Sequence, residues 1–73
     1  MTDAQKQEII AAYNAAHERQ VKAEGHLDKG LRGADSLHSF ALGEQNGIDR
    51  ALEILGYSIV VDDEERAIDI MEE

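Results

Sequence analysis

Cysteine, proline and tryptophan are absent from the 73 residues, and the aromatic supply stops at Tyr13, Phe40 and Tyr57. Without cysteine there is no disulfide framework and no thiolate zinc site. Without proline, nothing forbids long uninterrupted helices. Basic residues are scarce: 7 Lys and Arg stand against 16 Asp and Glu, a formal net charge of −9. That balance argues against direct binding of a nucleic-acid backbone, which recruits Lys and Arg, and favours attraction to a basic protein surface. No apolar run reaches the roughly 20 residues of a membrane span. The opening MTDAQKQE lacks the basic and apolar segments of a secretory signal. A cytoplasmic protein without a membrane partner is expected. The length fits one domain over residues 1–73, with a core thin enough that a homo-oligomer is expected.

What the chain does have is helical periodicity. At about 100° per residue, Leu37, Phe40, Ala41, Ile48, Ala51, Leu52 and Leu55 fall in one arc, which predicts an amphipathic helix over 35–55. Asp35 or Ser36 can cap its start and Gly56 can end it. A second stripe, Ile9, Ala12, Tyr13, Ala16, Gln20 and Ala23, predicts a helix over 3–24, opened by Thr2 or Asp3. Residues 25–34, with three glycines, form the connection. Their spacing matches neither a phosphate loop nor a dinucleotide fingerprint.

Folded as an antiparallel hairpin about Arg32, the two helices oppose large side chains to small ones in several layers. Leu27 faces Leu37, and Gln20 faces Glu44, so the polar intrusions on each stripe meet. Gln20 and Glu44 are therefore expected to form a buried polar layer that fixes register, with Arg19 or His17 able to supply a positive charge. Gly43 and Gly47 each cost the helix about 1 kcal/mol relative to alanine. The reason expected for them is close approach of the other helix. Leu42, Ile54, Ile10 and Val21 lie beside or off the stripes and extend an apolar surface.

The tail changes character. Residues 57–61 are aromatic and β-branched, and residues 67–71 can pair with them, which predicts a β-hairpin over 57–71 laid on the helices. Ile68 and Ile70 would share one face, as would Ile59 and Val61. The fold class expected is α+β, mainly helical: an antiparallel helical hairpin plus a short C-terminal β-hairpin. The alternative is all-α, with a third short helix capped by Asp62, because the connecting Asp63, Glu64, Glu65 and Arg66 include no glycine or asparagine to make a tight turn.

Chemistry-bearing motifs are sparse. His17, His26 and His38 lack the spacing of a helical metal site, and the serines have no nucleophile motif around them. The run Asp62, Asp63, Glu64, Glu65 lacks the alternating ligands and glycine of a calcium loop. It reads as a solvated turn or, functionally, as an acidic prong for a basic groove. No catalytic residue, metal or cofactor is expected. The readings that remain are a protein-binding module, an oligomeric binder of a small nucleotide-like molecule, and a structural assembly subunit.

The order of an acidic helix, a glycine-broken link, a helix ending in GIDRALEILGY over 47–57, a strand-like VVDDEE and an acidic end resembles small accessory proteins of bacteriophages and prophages. Some of these inhibit host defence systems. The resemblance implies a non-enzymatic protein that works by occupying a partner, such as the nucleic-acid-binding surface of a defence effector. It carries over no functional residue.

Overall fold

The structure is a computed structural model that describes residues 1–30 and 33–73, without the side chains of Leu27, Ala34, Asp35 and Leu37. Two helices, α1 (Asp3–Asp28) and α2 (Ala34–Ile54), precede two strands, β1 (Tyr57–Val61) and β2 (Ala67–Glu72), paired antiparallel. This is the mainly helical α+β fold with a C-terminal hairpin. The expected pivot at Arg32, and the pairing of Leu27 with Leu37, lie outside the described residues.

Local chemistry sets the boundaries. Thr2 Oγ1 accepts from the Gln5 N–H at 3.1 Å while Gln5 Oε1 accepts from the Thr2 N–H at 2.8 Å, a reciprocal capping box that starts α1. The helix then runs through Gly25 to Asp28, four residues beyond the expected end, and a left-handed Gly30 follows. One glycine inside a long helix costs too little to stop it. α2 starts one residue earlier than expected, after a left-handed Gly33, which places Asp35 and Ser36 in its first turn rather than at the N-cap position. Gly56 (φ 85°) closes α2 in the left-handed region, and its N–H reaches the Glu53 carbonyl at 3.0 Å.

The helices pack side by side, and the hairpin covers one side of that pair, β2 against α1 and β1 against α2. Among the described residues, Ala16, Ala23, Ala41, Leu52, Ala67 and Ile70 are the buried apolar ones, and Gln45 is the buried polar one. Phe40, Ala51 and Leu55, expected in the core, are exposed. The apolar arc on α2 is wider than one neighbouring helix can cover, and α1 takes the side that bears Ala41, Ile48 and Leu52.

The strands break strict alternation. Val60 pairs with Asp69 but Val61 pairs with Ala67, which leaves Ile68 as the extra residue of a bulge. Ala67 and Ile70 therefore point inward while Ile68 is exposed, so Ile68 and Ile70 do not share a face. The turn compensates for its lack of glycine. Glu65 takes the left-handed conformation (φ 63°). Asp62 Oδ1 accepts from the Glu64 N–H at 2.9 Å and from the Arg66 N–H at 3.0 Å, which holds the loop shut.

Candidate functional site

Residues eight and four apart along one side of α1 hold the hairpin and fix where its tip projects. Lys6 Nζ lies 3.8 Å from Asp69, and Glu18 lies 3.5 Å from Arg66. Between them Asn14 brackets the Ala67 backbone: Asn14 Nδ2 donates to the Ala67 carbonyl at 3.0 Å, and the Ala67 N–H donates to Asn14 Oδ1 at 2.7 Å. Sequence reasoning passed over this polar seam. Its signal was the spacing of Lys6, Asn14 and Glu18 on one side of α1, beside the apolar stripe.

The seam sets the acidic tip out from the body. Asp62, Asp63, Glu64 and Glu65 are all exposed. Asp62 is committed to the turn through its two backbone hydrogen bonds. The side chains of Asp63, Glu64 and Glu65 are exposed and take no part in those turn bonds. Behind them, Tyr13, Leu42, Gln45, Asn46, Val61 and Glu65 line a shallow cleft of about 320 Å³.

Tyr13 registers this acidic surroundings. Burial lifts its phenol above the ordinary value, and the carboxylates of Asp49 and Glu65 push it the same way. The folded chain thus holds the Tyr13 proton more tightly than the unfolded chain, whose phenol titrates near ~10. The contribution is complete below the unfolded value and is lost as pH rises through the folded one. Melting temperatures followed from about pH 8 to about pH 11 should fall along an alkaline limb, and Tyr13→Phe should flatten that limb. An equally steep limb in the variant would remove Tyr13 as its cause.

The remaining expected site residues are placed differently from one another. Glu44 is half-buried and forms an ion pair with Arg19. Gln20 turns toward Glu24 of its own helix, at 3.5 Å. Among the described residues Gln45, not Glu44, is the buried polar side chain of α2. Gly43 and Gly47 are exposed, and a Cβ on either would meet nothing within 4 Å. Among the described residues, no close helix approach is made at them.

His38 Nε2 lies 3.1 Å from Glu24 across the helical pair. His26 lines a cleft of about 430 Å³ with Arg19, Lys22, Ala23, Phe40 and Ala41. Among the described residues, no three His, Cys, Asp or Glu side chains converge where a metal ion could sit. None of the described helices is long and apolar enough to cross a membrane. Comparison with known proteins returns no family model, no curated protein and no solved structure that matches the chain.

Proposed function

We propose that the chain is a non-enzymatic protein-binding module that presents its acidic hairpin tip to a basic surface on a partner protein. The observation that carries this reading is the exposure of Asp63, Glu64 and Glu65 on a turn locked by Asp62. With the turn backbone already fixed, only side-chain entropy is lost when these carboxylates meet Lys or Arg, so the tip's backbone is pre-organised for such a contact. Asp49 adds a carboxylate beside Tyr13, on the same flank as Glu65. The formal charge of −9 supplies long-range attraction to a cationic surface. The resemblance to phage and prophage accessory proteins extends the reading to an inhibitor that covers the nucleic-acid-binding surface of a host defence protein.

The test reverses charge at the tip without breaking the turn, so Asp62 is left alone. Tagged wild-type protein and the combined Asp63→Lys, Glu64→Lys, Glu65→Lys variant are passed through nuclease-treated bacterial lysate and washed at about 50 mM and about 500 mM salt. A partner held by the wild type at low salt only, and not held by the variant, is the expected result. Equal capture by both proteins, or capture indifferent to salt, would remove the tip from the function.

A further inference from the structure

α2 carries a second stripe that the fold leaves uncovered. Phe40, Gly43, Gly47, Ala51 and Ile54 follow at intervals of three, four, four and three residues, which keeps them on one side of the helix. Phe40 is 68% and Ile54 78% exposed, and the three small residues between them are exposed as well. The β-hairpin does not reach this stripe: the α2 residues beside its tip are Leu42, Gln45 and Asn46, which lie elsewhere around the helix.

Three observations point to a second copy of the chain as its occupant. The first is symmetry. The stripe reads large, small, small, small, large, and both sizes and spacings are palindromic about Gly47. A twofold contact must be self-complementary. An antiparallel α2 crossing at Gly47 sets Phe40 of one copy against Ile54 of the other, Gly43 against Ala51, and Gly47 against itself. Large side chains then flank a centre where the two backbones can approach, which gives the two helical glycines a packing reason that no described residue of their own chain supplies.

The second is area. The chain exposes 5203 Å², about 700 Å² more than the roughly 4,500 Å² typical of a folded monomer of its mass. A stable interface buries about 800 Å² per partner. The radius of gyration of 13.4 Å likewise exceeds the about 11 Å of a compact chain of this length. The third is charge. Two chains of −9 repel, yet the cleft beside Phe40 is bordered by Arg19, Lys22 and His26, and the Glu44 carboxylate nearby is already matched by Arg19. Arg50 flanks the other margin of the stripe. The acidic tip and Asp49 lie toward the hairpin, away from this surface, so the largest cluster of carboxylates does not face the partner copy.

We infer that the protein is a homodimer in which two α2 helices cross antiparallel at Gly47, forming a four-helix layer with a β-hairpin and its acidic tip on each outer side. Ile54 of each copy enters the apolar cleft beside Phe40 of the other. The inference is independent of what the acidic tips bind.

Sedimentation equilibrium over about 5–200 µM tests it, a range that brackets the micromolar affinities of modest interfaces. The expected mass is twice the 8.1 kDa of the chain. Phe40→Glu and Ile54→Lys should each raise the dissociation constant at least about tenfold with the helical circular dichroism unchanged, and mixing the two variants should restore dimers by pairing the new charges. The chain has no native cysteine, so Gly47→Cys provides a readout that needs no apolar replacement. It should oxidise to a linked dimer, and Asn46→Cys, on the hairpin side, should not. A chain mass at every concentration, a dimer indifferent to Phe40→Glu, or cross-linking at Asn46→Cys in preference to Gly47→Cys would overturn the inference.

Discussion

Replacing Ile70 by alanine is expected to cost about 3–4 kcal/mol, the largest loss from any single truncation of the core. Ile70 is the one large side chain among the described residues that is fully buried, at 0% exposure. The other buried positions are mostly alanines, which have little surface to give up. A chain of this length has a total stability of roughly 4–10 kcal/mol, so the loss of one isoleucine removes a large fraction of it. Ile70 also sits where β2 faces the helices and pairs with Ile59 across the ladder. The vacated volume cannot be refilled from the other strand without breaking that pairing. Urea denaturation should show a midpoint reduced by about a third or more at similar slope. A loss below about 1 kcal/mol would mean that the hairpin is not anchored through this residue, since surface changes have effects of that size. Exposed Ile68→Ala, two positions away on the bulge, should stay within about 0.5 kcal/mol and serves as the control.

The contrast between Ile68 and Ile70 marks where the sequence could be read and where it could not. Two long helices, their antiparallel pairing and a C-terminal β-hairpin were legible because each rests on a repeating pattern: a 3.6-residue apolar period, a glycine-rich break, and clustered β-branched residues. The inward face of β2 was not, because one bulge exchanges the two faces and leaves no mark in the residue types. The turn misled in the other direction. Its missing glycine argued against a hairpin, yet a left-handed Glu65 and the Asp62 carboxylate close it. On α2 the ambiguity was one of width. Phe40, Ala41, Ala51 and Leu52 occupy an arc broad enough for two neighbours, and periodicity does not say which part the single α1 helix takes. The acidic run stood out by charge alone, whereas the seam of Lys6, Asn14 and Glu18 was hidden because polar residues on a helix flank usually face water.

Asn14→Ala is the second large effect expected, a loss of about 2–3 kcal/mol from a side chain with no apolar surface to speak of. The Asn14 amide gives the Ala67 C=O a donor and the Ala67 N–H an acceptor, at 3.0 Å and 2.7 Å. Val61 lies across the ladder from Ala67 at the bulge, and the outward N–H and C=O of Ala67 would otherwise form the start of an open strand edge. The side chain thus acts as a third strand one residue long. Both bonds are partly buried, so removing the amide strands a donor and an acceptor, and each unsatisfied group costs about 1–3 kcal/mol. Partial access of water places the total at the lower part of the combined range. Asn14→Asp separates the two bonds: it keeps an acceptor for the Ala67 N–H but turns a carboxylate oxygen toward the Ala67 carbonyl, so it should be nearly as costly at neutral pH and recover part of the loss when the carboxyl is protonated. Amide hydrogen exchange gives the local readout. In Asn14→Ala the Ala67 N–H should exchange at least about tenfold faster relative to the Ile70 N–H, which bonds to Asp69 Oδ1 at 2.8 Å and does not depend on Asn14. Uniform acceleration of both amides would instead mean that Asn14 contributes to global stability without closing this edge, and unchanged protection at Ala67 would mean that the bracket does not persist in solution.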